Sequence, residues 1–475
     1  MGLRIDSTRD RLFVATVIFT LLMTVLFAGA LVYDFVNNGG GGTARRVITS
    51  TETITAGPTP SAGASASTIT HAGSSIAGRT IGSGSGNTAI IPPGAPITIG
   101  EVVTQSGPLD ASDAIKADSA YVQTINAQGG INGHKLVLDT GDDNGDPARG
   151  KSAFERIVQE DNALAIVGEC APLTDATIVD EIKQLQVPVV NDCLTAESGY
   201  SSPYIWFNIM QPSYWQAISA RYLYKQRSQL HVTRPYVLCT NTSVTLEYCN
   251  GFVNEWKRLG GTTCSGGACN GGYDSEQVGM QRPQFDTVAV RIQGSGADSI
   301  VSLLDPNNQA AFLQALQDQN MCPGSSPHPW PQYAPLGMDP NSVSAGGDCS
   351  KGVVVDLSGS YFPTENTTGE QQLKAALDRY EPGTPVDAYS LTVGWTPMVI
   401  FTEALRRMGT NISRQNLIST LNSMNGFNPV GLCRPLTWTS ANHAAAPYTR
   451  WGRVTGVSAY DVMTGWIDQN GNPAG

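Results

Sequence analysis

The chain has 475 residues, of which 41% are hydrophobic and 15% are charged, and its formal net charge is -11. This length and apolar content suffice for a folded unit of several hundred residues, in two domains or in one domain of two lobes. The acidic balance disfavours binding to phosphate backbones, so no nucleic acid is expected as a partner.

The first predicted element is an apolar segment, 12–33, that contains no charged residue. At about 1.5 Å per residue it is long enough to cross a hydrocarbon core of about 30 Å, so we assign 12–36 as a transmembrane signal anchor. Arginines before it predict that residues 1–11 form a cytoplasmic tail and that the folded part lies outside the cell. Small residues ending at Ala30 also fit a signal-peptidase site, and cleavage there is the alternative.

Residues 37–96 form the next segment, which is rich in Gly, Ser, Thr, Ala and Pro and contains scarcely any aromatic residue. Such a composition cannot bury enough apolar surface to offset the entropy of the chain. We therefore predict a disordered linker that separates the folded region from the membrane.

From Ile97 onward, short β-branched segments alternate with segments whose apolar residues recur at helical spacing. Asp146 followed by Pro147 is typical of a helix start, since the carboxylate caps the helix and proline fits its first turn. Strands separated by helices indicate parallel sheets with right-handed crossovers, and two such series indicate two α/β lobes. Ligands of open parallel sheets bind beyond the carboxyl ends of the strands.

Motifs for catalysis or metal binding are weak in this sequence. The acidic run 142–146 suggests a calcium loop, but Pro147 and Ala153 occupy the places of the required glycine and acid, so a turn with a helix cap is favoured. The five histidines are scattered, and His134 is predicted to lie at the surface. We therefore expect no catalytic residue, no metal and no cofactor.

The nine cysteines begin at Cys170 and form no C-x-x-C pair, which disfavours a zinc site. Consecutive cysteines lie close in sequence, as is typical of short-range disulfides in an oxidising compartment. Four bridges with Cys433 left over is the simplest count, although the sequence leaves the pairing open.

Several blocks of the folded region resemble the leucine/isoleucine/valine-binding proteins of ABC importers, which are type I periplasmic binding proteins. The resemblance runs from about residue 97 to at least residue 440. Its blocks, in chain order, are 97–100 (ITIG), 106–108 (SGP), 125–133 (INAQGGING), 142–147 (DDNGDP), 165–168 (AIVG), 187–190 (VPVV), 387–389 (DAY), 403–409 (EALRRMG) and 431–438.

The resemblance implies two Rossmann-like lobes joined by a three-stranded hinge, with a small-molecule ligand captured between them by hinge closure. By this pattern lobe 1 comprises 97–211 plus 355–432, and lobe 2 comprises 212–354 plus 433–475. The expected protein partners are the permease and ATPase subunits of an ABC importer.

The resemblance also suggests ligand-binding positions in the loops that follow the strands. The loop after Gly168 usually supplies a serine, but this chain has Ala171 in that region, which leaves only backbone donors near a helix N-terminus. A threonine is expected after the next strand, and an acid of lobe 2 is expected to hold the ligand ammonium. The candidate ligand-binding residues are Ser106, Ala171, Cys193, Thr195, Tyr214 and Asp339.

Two departures from the family pattern affect the expected ligand. Tyrosines that the family places in lobe 2 fall near Val244 and Leu304, so two hydroxyls are lost. Trp215 and Trp395 join Tyr214 as residues that could line the cleft, although core positions are the commoner outcome for them. An amino acid, a related amide or carboxylate, and a larger, less polar solute all remain candidates.

The cysteines fit the same framework. Cys170 and Cys193 follow two strands expected to be neighbours at the ligand end of lobe 1, so we predict a disulfide between them. The next expected pairs are Cys239–Cys249, Cys264–Cys269 and Cys322–Cys349.

The predicted function is that of a membrane-anchored, extracytoplasmic solute-binding subunit of an ABC importer, and not that of an enzyme. The alternative is a ligand sensor or co-receptor of the same fold that does not transport. Because the tail before residue 12 is too short for a signalling domain, a sensor would need a membrane partner for its output.

Overall fold

The computed structural model describes residues 88–474, except for 107–109, 194–196, 325–329, 336–339, 358–365 and the single positions 388, 446 and 458. The predicted cytoplasmic tail and membrane anchor, and all but the end of the predicted linker, lie outside these residues. Within the described part of the chain, no helix is both long and apolar enough to cross a membrane.

The first lobe is built on a five-stranded, fully parallel sheet. Its strands follow the spatial order β2-β1-β3-β4-β5. They are β1 (Ile97–Val103), β2 (Leu136–Asp142), β3 (Ala165–Val167), β4 (Val189–Asn191) and β5 (Ile205–Phe207).

Helices cover both faces of this sheet, as expected for parallel strands joined by crossovers. Asp146 caps the second helix by accepting hydrogen bonds from the backbone N–H groups of Ala148 and Arg149, and Pro147 occupies the first turn, as the sequence predicts. The helices between the strands are α1 (Ser112–Ala127), α2 (Pro147–Glu155) with a π-helical turn (Arg156–Glu160), α3 (Asp175–Leu185) and the short α4 (Glu197–Tyr200).

The second lobe contains a seven-stranded mixed sheet in the order β12-β11-β10-β9-β8-β6-β7. The strands from β6 to β10 are parallel, as predicted, but β11 runs antiparallel to β10 and β12 antiparallel to β11. They are β6 (Pro235–Thr240), β7 (Asp274–Glu276), β8 (Ser299–Leu303), β9 (Gln332–Ala334), β10 (Val354–Asp356), β11 (Trp451–Gly456) and β12 (Ala459–Val462).

Well-capped helices surround this second sheet. Thr242 forms a capping box with Thr245 at one helix start, and Asp305 accepts from the N–H groups of Asn307 and Asn308 at another. The helices are α5 (Pro212–Lys225), α6 (Arg227–Leu230), α7 (Ser243–Arg258), α8 (Arg282–Gly294), α9 (Pro306–Asp318) and α10 (Pro340–Gly346), followed by a short 3-10 turn (Gly347–Ser350).

After β10 the chain returns to the first lobe. It forms α11 (Thr368–Tyr380), a π-helical turn (Tyr389–Trp395), α12 (Thr396–Met408) and α13 (Arg414–Leu421). The π-helical turn and α12 are separate segments, since Pro397 lies in the first turn of α12 and has no N–H to continue the preceding turn.

Three chain segments connect the lobes, in agreement with the predicted number of hinge connections. They join β5 to α5, β10 to α11, and α13 to β11. The Phe207 N–H donates to the His443 carbonyl over 2.8 Å, and the Ala445 N–H donates to the Ile209 carbonyl over 3.3 Å, so the first and third connections are bonded to each other. The Leu357 N–H donates to the Arg450 carbonyl, so the second connection is also bonded to the third.

Packing at the predicted lobe boundaries differs slightly from the sequence-based division. The predicted change of lobe at residue 355 falls inside β10, a strand of the second sheet. Cys433, Leu436 and Trp438 are buried with the apolar residues of the first lobe, although they follow the predicted boundary at residue 433.

Four disulfides are present: Cys170–Cys193, Cys239–Cys249, Cys264–Cys269 and Cys322–Cys349. Cys433 is free and buried. These are the pairs that the cysteine order and the family framework suggested.

The prediction that His134 lies at the surface is wrong. Its side chain is buried, and its Nδ1 atom lies 2.7 Å from the Ala95 carbonyl oxygen. The chain before β1 therefore covers this histidine, a contact that a local reading of the turn could not reveal.

Candidate functional site

The loop after β4 and the first turns of α5 and α7 meet at the face between the lobes. The Glu197 N–H of the first lobe donates to Glu247 Oε2 of the second lobe over 2.9 Å. In return, Glu197 Oε1 accepts from the Ser213 N–H at the start of α5 over 3.1 Å. These two bonds place the carboxyl end of β4 against the helix that follows β6, which is where ligands bind to parallel sheets.

Close packing of α5 on α7 fixes the second-lobe side of this contact. A Cβ atom at Gly251 would lie 2.1 Å from the Ser213 carbonyl oxygen, so only glycine permits the observed approach. The Cys239–Cys249 disulfide also ties α7 to the end of β6. The part of α7 that carries Glu247 is therefore held in place by both α5 and β6.

The loop after β3 is shaped by Gly168, whose φ angle is +75°. A Cβ atom there would lie 2.6 Å from Asp118 Oδ2 and 3.3 Å from the Val393 carbonyl oxygen. Glycine alone combines this backbone conformation with the available space. The Cys170–Cys193 disulfide then joins this loop to the loop after β4.

Buried carboxyl groups lie directly beneath these loops, and the sequence analysis did not identify them as a group. Glu169 is 2% exposed, and its Oε2 atom accepts from Asn191 Nδ2 over 2.9 Å. Burial and the neighbouring Asp175 carboxyl raise the pKa of Glu169 well above its usual range. Asp143 lies close by and accepts from Thr174 Oγ1 over 2.7 Å.

A second buried acid pair links β1 to α1. Glu101 and Asp118 are both fully buried. Burial raises the pKa of Glu101 to about 7, partly opposed by the neighbouring Asp118 side chain. Burial and the Glu101 carboxyl raise the pKa of Asp118 well above its usual range. None of the four carboxyl oxygens has a hydrogen-bond partner among the described residues, and their burial disfavours the charged form of both groups.

Two of the candidate ligand residues are brought together at the end of the first sheet. Ala171 is fully buried, and Cys193 is 4% exposed and bonded to the adjacent Cys170. The Ala171 carbonyl accepts from the Thr174 and Asp175 N–H groups, so it belongs to the turn that starts α3. Their contact with a ligand remains a prediction.

Ser106 and Tyr214 are engaged elsewhere. The Ser106 side chain is exposed, and its Oγ atom donates to Asn144 Oδ1 over 2.6 Å. The Tyr214 hydroxyl donates to Gln469 Oε1 of the C-terminal segment over 2.7 Å. Thr195 and Asp339 lie outside the described residues, so their roles remain predictions.

Most of the side chains considered for an apolar cleft are core residues. Val244 and Leu304, at the positions of the family tyrosines, are 1% and 6% exposed. Trp215 is buried and donates to Asp356 Oδ2 over 2.9 Å, and Trp395 packs edge-on against Tyr121. The lost tyrosines are therefore replaced by packed apolar side chains and not by exposed apolar surface.

The contact between the lobes is acidic, which sequence patterns did not single out. Burial and the Glu197 carboxyl raise the pKa of Glu247 to about 7, although the hydrogen bond from the Glu197 N–H opposes the shift. The Tyr248 hydroxyl on the same helix is buried, and burial, Asp192 and Glu247 raise its pKa well above its usual range. The sequence could have pointed to these acids only through their positions, since Glu197 follows β4 and Glu247 follows β6.

A small cavity lies beside the hinge connections and contains both polar and aromatic side chains. The Asn208 side chain is 1% exposed, and its amide makes no hydrogen bond with any described residue. Arg434 lies over the rings of Tyr448 and Trp466 at 4.1 and 5.2 Å from their centroids. Cys433 also lines this cavity.

Metal binding finds no support among the residues that the structure describes, where no group of three or more His, Cys, Asp or Glu side chains could hold an ion. Acidic side chains of the run 142–146 instead accept hydrogen bonds from backbone N–H groups. Asp142 Oδ1 accepts from the Gln105 N–H, and Asp146 caps α2.

Residues 96–458 match the family described as periplasmic binding protein. The chain belongs to this family. Its members are solute-binding proteins, and their fold has two lobes with parallel sheets, as observed.

Among curated relatives, a segment of 109 residues is 35% identical to Leu/Ile/Val-binding protein homolog 3 of Brucella melitensis. The segment covers 22% of this chain and 29% of that protein, so the match spans less than a third of the relative.

Solved structures of the family share the fold at low sequence identity. A branched-chain amino acid ABC transporter protein from Thermus thermophilus with bound valine is 17% identical, with a TM-score of 0.65 over 78% of this chain and 96% of that chain. A solute-binding protein of R. palustris in complex with 4-hydroxybenzoate is 16% identical, with a TM-score of 0.62 over 78% of this chain and 97% of that chain.

Proposed function

We propose that the chain is the solute-binding subunit of an ABC importer and that it captures a small solute between its lobes by hinge closure. The observation that carries the proposal is the Glu197–Glu247 hydrogen bond, which joins the carboxyl end of β4 in one lobe to α7 in the other. Three hydrogen-bonded connections link the same lobes and provide a hinge about which they can open.

The related proteins support an amino acid or a related amide or carboxylate as the solute. One relative is named for leucine, isoleucine and valine, and the similar structures hold valine and 4-hydroxybenzoate. Thr195 and Asp339 are the residues expected to hold the carboxylate and the ammonium of an amino acid.

We also propose that residues 12–36 anchor the protein in the cell membrane with its folded region outside. The uncharged apolar run and the preceding arginines support this orientation. The four disulfides support an oxidising compartment for the lobes.

The proposal is tested by adding single solutes to the full chain and measuring thermal shifts and calorimetric affinities. The panel comprises the aliphatic amino acids, their amides, small aliphatic and aromatic carboxylates, and aliphatic amines. We expect one class to raise the melting temperature, because a ligand that binds only the folded state stabilises it. The absence of any shift, together with an empty protein by native mass spectrometry, would contradict solute binding.

A second experiment tests the partners. Affinity purification of the full chain from membranes should recover a permease and an ATPase. Recovery of a sensor kinase in their place would contradict the transport role while leaving solute binding intact.

A further inference from the structure

The small cavity beside the hinge connections lies at the carboxyl end of the first sheet. Asn208 directly follows β5, and its N–H donates to the carbonyl of Asn191, the last residue of β4, over 3.3 Å. The carboxyl edge is where parallel sheets bind ligands. We define the hinge cavity by the residues that line it, which include 208–210 of the first connection, Arg434 and Tyr448 of the third, and Trp466.

The walls of the hinge cavity are attached to both lobes. Cys433, which precedes Arg434, is buried with the apolar core of the first lobe. Trp466 belongs to the C-terminal segment, which is bonded to the second lobe, since Lys225 Nζ at the end of α5 donates to the Asn470 carbonyl over 2.6 Å. A group bound in the hinge cavity is therefore held by both lobes, as hinge closure on a solute requires.

Arg434 gives the hinge cavity a positive charge with unused donors. The guanidinium lies over the rings of Tyr448 and Trp466, and aromatic rings contact the face of a guanidinium, not its edge. Its N–H groups form no ion pair and no hydrogen bond with any described residue. The edge of the guanidinium is therefore free, and its paired N–H groups match the two oxygens of a carboxylate.

The other charged groups near the hinge cavity leave Arg434 unneutralised. Asp192 follows Asn191 on the same edge of the sheet, but it forms no ion pair with Arg434. Burial and Asp192 raise the pKa of the Cys433 thiol well above its usual range, so the thiol is neutral. Arg450 lies 5.8 Å from the centroid of the Trp466 ring and adds a second positive charge.

The Asn208 side chain gives an independent indication of a missing partner. It is 1% exposed, and neither its Oδ1 nor its Nδ2 atom makes a hydrogen bond with any described residue. Buried amides in folded proteins are nearly always bonded. Both atoms are closed off from solvent in the observed arrangement, so a partner must enter while the lobes are apart and be enclosed when they close.

Resting on the proposed solute-binding function, we propose that the solute carries a carboxylate, which is bound in the hinge cavity by the Arg434 guanidinium and the Asn208 amide. The guanidinium supplies charge and paired N–H groups, and the amide supplies a neutral N–H donor. Because the hinge cavity is small, it takes the carboxylate group while the rest of the solute extends between the lobes. These donors compensate for the serine hydroxyl that is absent from the region of Ala171.

Calorimetry on the full chain at pH 7.5 tests the proposal with two matched pairs of probes: benzoate with benzamide, and L-leucine with L-leucinamide. Each amide keeps the size and shape of its carboxylate but lacks the negative charge. We expect the carboxylate of at least one pair to bind, and its amide to bind about 30-fold more weakly or not at all. If another carboxylate of the wider panel raises the melting temperature more, it and its amide form a third pair.

Arg434→Gln should weaken binding of the carboxylate by about 30-fold, since it removes one partner of a charge pair. It should leave the weaker affinity for the matched amide unchanged, so the preference for the carboxylate is lost. A merely structural role of Arg434 at the hinge would lower both affinities together.

Asn208→Leu tests the amide separately, because leucine has nearly the same shape and no polar side-chain atom. It should weaken carboxylate binding by about 10-fold, since one hydrogen bond to a charged group is lost. The melting temperature of the empty protein should not fall, because the variant removes a buried amide that has no partner there.

Arg379→Gln is the matched control. Arg379 lies 5.0 Å from the centroid of the Tyr380 ring on α11, so this variant removes the same charge and the same kind of ring contact away from the hinge cavity. It should leave every affinity unchanged. Thermal melts verify that each variant is folded, and Asn208→Leu provides the test if Arg434→Gln does not fold.

The outcomes separate this inference from the proposed function. Equal binding of a carboxylate and its amide, or binding of amides or amines alone, overturns the carboxylate but leaves solute binding standing. Carboxylate binding that is unaffected by both Arg434→Gln and Asn208→Leu overturns the assigned site and favours the loops after β3 and β4. If no probe and no member of the wider panel binds, the solute-binding function itself fails.

Discussion

Glu101 and Asp118 show how one buried side-chain contact can set the pH dependence of stability. Both carboxyls are fully buried between β1 and α1, and folding raises the pKa of Glu101 from about 4.5 to about 7. A carboxyl whose pKa is raised by folding holds its proton more tightly in the folded state. Its stabilising contribution is therefore complete below pH 4.5 and is lost as the pH rises through about 7.

We predict that the melting temperature of the full chain falls between pH 5 and pH 8. Asp118 and Glu169 act in the same direction, since folding raises their pKa values too. Glu101→Gln should reduce the slope and raise the melting temperature at pH 8, because the buried amide stays uncharged at every pH. Thermal melts across this range measure both effects. Glu403→Gln, the same change at a carboxyl of α12 that pairs with Arg407, should keep the original slope. An equal slope in the Glu101 variant would contradict the assignment.

A prediction for Gly168 follows from its backbone conformation. Gly168→Ala introduces a Cβ atom at a φ angle of +75° and 2.6 Å from Asp118 Oδ2. We expect a loss of about 1–3 kcal/mol in the free energy of unfolding, together with weaker solute binding. Urea denaturation measures the first effect and calorimetry the second. Gly383→Ala is the control, because its φ is also positive but no atom lies within 4 Å of the added Cβ. Unchanged binding in Gly168→Ala would show that the loop after β3 does not shape the site.

At the scale of elements, the Cys170–Cys193 disulfide joins two loops across a sequence separation of 23 residues. Replacing both cysteines by serine should reduce the free energy of unfolding by about 3 kcal/mol and lower the affinity for the solute. The matched control removes Cys264–Cys269, which closes only 5 residues in the second lobe. That control should leave affinity unchanged. Denaturant titrations and calorimetry of both variants provide the comparison, and equal affinity losses would contradict a local role for Cys170–Cys193.

The elements of the fold were largely readable from the sequence because they depend on local patterns. Alternation of β-branched and helical segments predicted the parallel strands, and Asp146-Pro147 predicted a helix start that the structure confirms. The π-helical turn Tyr389–Trp395 and the antiparallel β11 and β12 were not predicted. Strand direction at a sheet edge depends on which segment the returning chain contacts, and that contact is not local.

The candidate site was harder to predict for the same reason. Ala171 and Cys193 were placed near each other because their loops follow neighbouring strands. Glu169, Glu247 and Tyr248 were missed, since an acid or a tyrosine becomes unusual only when tertiary packing buries it. His134 was wrongly assigned to the surface because distant chain covers it.

For the whole molecule, we predict that solute binding shifts the population toward a more compact form. The contact between Glu197 and Glu247 should be broken in an open form and restored on closure, with the hinge connections preserved. Small-angle X-ray scattering of the full chain, with and without the solute identified by the panel, should show a smaller radius of gyration when the solute is bound. Identical scattering at saturating solute would contradict closure as the binding mechanism.

Each of the four disulfides lies within one lobe, and none links the first lobe to the second. The disulfides therefore constrain each lobe internally and do not restrict the rotation of one lobe relative to the other. Apparent affinity is then the product of intrinsic affinity and the fraction of molecules already in the binding-competent arrangement. Substitutions at the connections should therefore change the affinity for the solute by changing that fraction. Ile209 and Ala445, whose backbones are hydrogen-bonded to each other across two connections, are therefore positions at which substitution can tune solute affinity.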